Sequence, residues 1–215
     1  MKQIRTAFFV LIIFLFFTGN LAFGASVTGG ELTGDRITFY FEESDEFEES
    51  DEGEVIVVED NVILNYQEVQ AEADYGRHEV ETGSILLREN VRVKQEDYTL
   101  TAARMEGNLE EEVLNFSGGV EVNGEERKLS GESLDYDHAE GEMIFTGRST
   151  ISYNDIEAEA DRIEYYVEED RALLSGDVEG SQNGREFSAA RIELREDRMI
   201  MEEGSKIRFA DGGEE

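Results

Sequence analysis

Apolar and polar positions alternate along most of this chain, and the alternation itself repeats. Small residues stand at Ala73, Ala102, Gly131, Ala160 and Ala189, each 29 positions after the last. A second series, Val62, Val91, Val120, Ser149, Val178 and Ile207, keeps the same step. Leu64, Val93, Val122, Ile151, Gly180 and Phe209 follow it two residues on. A fixed period of this length is the mark of a repeat architecture. Within each unit the apolar positions recur every second residue, as in Leu134 and Tyr136 or Ile163 and Tyr165 after the small residue. Such alternation predicts strands with one buried face. Helical spacing appears nowhere beyond the N-terminal segment.

Two irregularities recur in register. Gly118, Gly147 and Gly176 interrupt the second strand of their units, and glycine inside a strand marks a bend or a close backbone approach. The parity also slips just after the small residue, which predicts a bulge there. Bends and bulges at one place in every unit let a sheet curl over on itself. Turn signals close the units, at "DHAEGE" and "VEEDR" on one side and at Asn123-Gly124, Asn154-Asp155 and Asn183-Gly184 on the other. The expected fold is all-β: a single elongated antiparallel β-jelly roll of six two-strand repeats, about twelve strands, around a narrow apolar interior. Strand parity assigns to that interior Val62, Leu64, Ile85, Leu87, Val91, Val93, Leu114, Phe116, Val120, Val122, Leu134, Phe145, Ile163, Leu174 and Val178. Parity alone leaves open whether they form ordinary packed core or line a slot that takes a ligand.

The first unit breaks the period. From Gly34 to Ala73 is ten residues too long, and omitting 42–51, "EESDEFEESD", restores the register. The acid run is therefore an insertion in a surface turn, where added length costs little, and its removal should leave the fold intact. Phe47, alone among the acids, is the residue there with something to offer a partner.

Composition narrows the function. The 215 residues contain no Cys, Pro or Trp and only two His. Disulfides, thiolate metal sites and cysteine nucleophiles are excluded, and general acid–base chemistry near neutral pH has few carriers. Lys2 and Arg5 precede the apolar run Ala7–Phe17, with small residues near Gly24-Ala25. This is the pattern of a secretory signal peptide over 1–25, an uncleaved single-helix anchor being the alternative. The domain is expected over 26–210, with an acidic tail at 211–215. Removing 1–25 takes two bases and no acids, leaving 17 Lys and Arg against 52 Asp and Glu. Such a surface repels nucleic acid and suits either a multi-site cation binder or a protein kept hydrated at high salt.

The repeated text resembles the OstA-like family, which includes the lipopolysaccharide transport proteins LptA and LptC and the N-terminal domain of LptD. Its phrase of a small residue, Asp, Lys or Arg, an apolar residue, any residue and Tyr is matched at Ala160-Asp161-Arg162-Ile163-Glu164-Tyr165 and within Gly34–Tyr40. Its Gly-Asn-Val phrase has counterparts at Asp60-Asn61-Val62, Glu89-Asn90-Val91, Gly118-Gly119-Val120 and Gly176-Asp177-Val178, though nowhere intact. The resemblance covers about residues 30–210. It implies a periplasmic lipid carrier that holds acyl chains of lipopolysaccharide or a similar glycolipid in an apolar groove. It also implies partners of the same fold, LptC-like and LptD-like, or copies of the chain itself, joined head to tail by edge strands. Ile37 and Phe39 at one end and Ile207 and Phe209 at the other are the candidate docking edges. No enzymatic activity, cofactor or metal is expected.

Two other readings start from the same residues. An acidic β-repeat module could bind cations on a secreted surface, although "EESDEFEESDEG" lacks the spacing of a Ca²⁺ loop. A β-solenoid enzyme acting on polysaccharide would need a carboxylate pair that stands out from the repeat, and none does. His78 and His138 are expected as exposed turn residues, and Tyr136, Tyr165 and Tyr166 as rim or half-buried strand tyrosines.

Overall fold

The computed structural model describes residues 23–27, 30–40, 54–66, 69–95, 98–125, 127–196, 198–202 and 204–209. The predicted signal segment up to 22, the acid run 42–51 with Phe47, and the tail 211–215 lie outside them. The described residues form fifteen strands and no helix. The short N-terminal strands are β1 (Phe23–Val27), β2 (Gly30–Gly34) and β3 (Arg36–Tyr40). The long ones are β4 (Val55–Tyr66), β5 (Val69–Glu79), β6 (Ser84–Gln95), β7 (Tyr98–Asn108), β8 (Val113–Asn123), β9 (Arg127–Asp137), β10 (Glu142–Tyr153), β11 (Ile156–Tyr166), β12 (Arg171–Gln182) and β13 (Arg185–Arg195). β14 (Arg198–Glu202) and β15 (Lys206–Phe209) close the chain.

All fifteen belong to one antiparallel sheet, in which sequence neighbours pair from β4 through β14, β2 joins β1 to β4, and β3 and β15 lie off this path. The count exceeds twelve because the terminal units are split. β2 and β3 pair with the two halves of β4, and β14 and β15 with the two halves of β13. β1 is an additional strand that opens three residues ahead of the expected boundary at 26, so a cut between Ala25 and Ser26 would divide it.

Every long pair has a register shift near its middle, such as Thr146/Ser149 between β10 and β11 and Ser175/Val178 between β12 and β13. Two successive residues there take positive φ: Asp60-Asn61, Glu89-Asn90, Gly118-Gly119, Gly147-Arg148 and Gly176-Asp177. Four of these pairs are the Gly-Asn-Val counterparts, Gly147-Arg148 is the fifth of the series, and the left-handed pair turns β4, β6, β8, β10 and β12 through a bend. Asn tolerates this conformation and uses its side chain locally. Asn61 Nδ2 donates to Asp35, between β2 and β3, at 2.8 Å, and Asn90 Nδ2 donates to Asp74 of the neighbouring β5 at 2.6 Å. Where Gly118, Gly147 and Gly176 stand, a Cβ would come within 3 Å of Ala103, Glu132 or Asp161, the residues that follow the small position.

The small residues occupy the concave side of the same bend. A Cβ on Gly34 would lie 2.4 Å from Val58, and one on Gly131 would lie 3.1 Å from Ser149 Oγ. The bends fold the sheet into two layers that share one apolar cluster, reaching from Leu32 to Leu194. Asn183 and Gly184 both have positive φ, which gives the β12–β13 turn the twist a two-residue hairpin needs. The β3–β4 hairpin pairs Tyr40 with Val55, so the acid run falls in the connection between them.

Candidate functional site: a closed apolar interior and its polar seam

The interior is built by inward-facing side chains from every long strand. The fifteen residues assigned to it by parity all belong to the cluster, Leu114 half-buried at its margin and the others buried. Their outward neighbours alternate with them; Asn115 is exposed and Ile144 half-buried. Little space remains inside. Between Leu64, Val93, Leu100, Met105, Phe116 and Met143 lies a cavity of about 60 Å³, room for a few waters at the ~10–15 Å³ that each needs on this measure. As folded here, the slot is filled by its own side chains.

The cavity lies beneath the line where the free ends of the two layers meet. The first layer ends in Tyr66, Gln95, Tyr98, Arg127 and Tyr153, and the second in residues and turns that include Leu109, Tyr136, Tyr165 and Asp170. These ends are joined by polar groups. Tyr66 Oη donates to the Leu109 carbonyl at 2.8 Å. Tyr136 Oη lies 3.0 Å from His138 Nδ1 and donates at 3.4 Å to Gln95. The densest joint is around Arg127, whose Nη1 donates to Tyr165 Oη at 2.7 Å and Tyr98 Oη at 3.2 Å. Its Nη2 donates to Asp170 Oδ2 at 2.5 Å. Tyr153 and Tyr165 also donate to the Asp170 carboxylate, at 3.0 and 3.1 Å. The guanidinium stands 5.2 Å from the Tyr153 ring centre, within cation–π reach. Burial, above all, raises the Tyr165 and Tyr153 hydroxyls from their ordinary values. Both therefore remain protonated and able to donate.

Apart from Tyr136, Tyr165 and His138, these seam residues were not singled out in the sequence. Their signal is present in two adjacent series with the same step of 29: Gln95, Gly124, Tyr153 and Gln182, and Val69, Tyr98, Arg127, Ile156 and Arg185. Unlike the core series these mix apolar with polar-tipped residues, as the end of a buried row does.

His78 corrects an expectation. It is not an exposed turn residue; it lies in β5, 2% exposed, with Nδ1 3.0 Å from the Ser84 carbonyl. Burial lowers its pKa, opposed by that contact and by Glu79 and Glu110. His138 lies half-buried in the β9–β10 turn. Tyr165 is fully buried, Tyr136 lines the cavity, and Tyr166 is stacked under the Arg171 guanidinium at 4.0 Å.

The two ends of the roll are unequal. At the N-terminal end Ile37 packs against the core and Phe39 is 40% exposed. At the C-terminal end Ile207 is 52% and Phe209 69% exposed. Phe209 has the Arg185 guanidinium 5.4 Å from its ring centre. Among the described residues β3 pairs only with β4, and β15 only with β13.

Comparison with known proteins finds two likenesses. Residues 110–199 match the family model described as LptA/(LptD N-terminal domain) LPS transport protein. No curated protein sequence matches the chain. Among solved structures it is similar to LptH of Pseudomonas aeruginosa, described as the LptA homologous periplasmic component of a lipopolysaccharide transport device. The two are 16% identical, with a TM-score of 0.49, over 52% of this chain and 94% of that one. Through the segment from the β7–β8 turn into β14, the chain is similar to the family of LptA and the LptD N-terminal domain.

Proposed function

We propose that this chain is a periplasmic carrier of lipopolysaccharide or a similar glycolipid, taking acyl chains into the interior between its layers. The observation that carries this is one apolar cluster reaching through the whole roll, with exposed apolar residues at its last strand. Transfer of hydrocarbon from water is worth about 0.8 kcal/mol per methylene, so a continuous apolar passage lowers the barrier to crossing an aqueous compartment without any catalytic step. The cavity of about 60 Å³ is smaller than such a cargo, so loading requires the layers to part. The exposed edges of β3 and β15 suit strand addition, with Ile37, Phe39, Ile207 and Phe209 as the apolar anchors. The partners are LptC-like and LptD-like proteins or a second copy of the chain. Unpaired edges that stay free invite aggregation, which favours an occupant over a bare end.

Photocrosslinking tests this. Probes placed at Phe116, Phe145 or Leu174 should label lipopolysaccharide, and probes at the outward Asn115 or Ile144 should label it far less. Equal labelling of both faces, or none from the inner one, would overturn the carrier reading.

A further inference from the structure

The interior is closed along its length by a seam whose parts differ in kind. Over the cavity the contacts between the layers include Tyr66 to the Leu109 carbonyl and Tyr136 to Gln95, with Glu112 and His138 in the same lining. Further along, a charged pair and three tyrosines converge. Arg127 and Asp170 come from opposite layers and are 43 residues apart in sequence. Their side chains retain only 22% and 27% of their exposure. A guanidinium holding two hydroxyls and a carboxylate that receives three donors form a network in which each member orients the others. Separating the layers here would expose both charges and break several bonds together.

We propose that Arg127, Asp170, Tyr98, Tyr153 and Tyr165 are a latch that holds the two layers shut, and that its opening sets how fast an acyl chain is admitted to the interior. The inference rests on the carrier reading above, because a latch has this consequence only if the interior takes hydrocarbon. It assigns these residues a gating role rather than contact with cargo. The stretch over the cavity is where the layers first part, and the latch limits how far the opening spreads.

The test is the rate at which the chain takes up cis-parinaric acid, a fluorescent long-chain fatty acid, followed by stopped flow. Arg127→Met combined with Asp170→Asn removes both charges together, leaving neither one buried alone. Uptake by this variant should be faster by about ten-fold, the equivalent of about 1.4 kcal/mol in barrier height. Amide exchange in the β11–β12 turn should also quicken. Arg127→Lys keeps the charge but loses the fork that serves three partners, and should fall between. If the double variant does not fold, Tyr153→Phe, which deletes one bond to Asp170, should still accelerate uptake by about two-fold. A native-like double variant with unchanged uptake rate would overturn the latch while leaving the carrier reading standing. Uptake by the variant alone would support the latch in its strongest form. No uptake by either protein would overturn the acyl interior, and the latch with it.

Discussion

The bend and the seam lie at opposite sides of the same roll and are held by different physics. At the bend every two-strand unit does the same thing at the same place, one strand supplying the left-handed pair and its neighbour the small residue. Two left-handed residues turn the chain on the convex side, and a small residue clears the concave side. Its parts are close in sequence or one repeat away, and each unit contains its own copy. At the seam no two units are alike. Tyr66 reaches a carbonyl, Tyr136 an amide, and Arg127 a carboxylate and two hydroxyls. The bend is thus a property of the repeat and sets whether the roll forms. The seam is a property of particular side chains and sets how tightly the roll is closed.

That division has consequences of different size. Gly176→Val places a β-branched residue at φ +80°, with its Cβ 2.5 Å from an Asp161 oxygen. Backbone strain of this kind costs of order 1–3 kcal/mol, and the collision adds to it. A loss of about 3 kcal/mol, read from the urea midpoint at unchanged m, would mark the bend as structural. A loss below about 1 kcal/mol would contradict that assignment, since it would mean that the left-handed conformation is optional. Against this, the latch variant should change uptake far more than it changes the midpoint.

Asn90→Ala is a milder attack on the bend. It removes the bond to Asp74 and leaves alanine at a φ of 55°. The expected cost is about 1 kcal/mol, and no cost would show that the residue's backbone conformation is maintained by its neighbours alone.

The smallest effect is expected at the rim of the second layer, from His78. Its folded pKa is lowered, chiefly by burial, whereas in the unfolded chain it titrates near the ordinary value of about 6.5. Above that pH both states are neutral and no penalty applies. Below it the unfolded state binds a proton that the folded state resists, so stability falls as pH drops from the unfolded value toward the folded one. Thermal scans from about pH 7.5 to about pH 5.5 should show wild type losing stability more steeply than His78→Gln. Parallel slopes would mean that the ring becomes protonated without leaving its site.

What could be read before any coordinates was the part that repeats. Period two placed Phe116, Phe145 and Leu174 on the inner face, and the step of 29 placed Gly118, Gly147 and Gly176 at the bends. The ten extra residues of the first unit identified 42–51 as an insertion for the same reason: departure from a strict period is visible without structure. His78 escaped because its neighbours, "YGRHEVE", resemble a turn. Its inward direction follows from the pairing of β5 with β6, where it lies opposite Ile85. The terminal units escaped in part as well. Splitting a repeat strand into β2 and β3, or its counterparts into β14 and β15, depends on what each half pairs with.

Sequence alone therefore determined the strand count of the inner units, the inward face and the bends at Gly118, Gly147 and Gly176. These depend on side-chain parity and on residues that tolerate a left-handed backbone, both of which are local. The tertiary structure decided that the interior is nearly full and that Arg127 meets Asp170 across 43 residues. It also decided that one end of the roll is barer than the other. Those outcomes depend on how far two layers close over one another, a distance that no single repeat encodes.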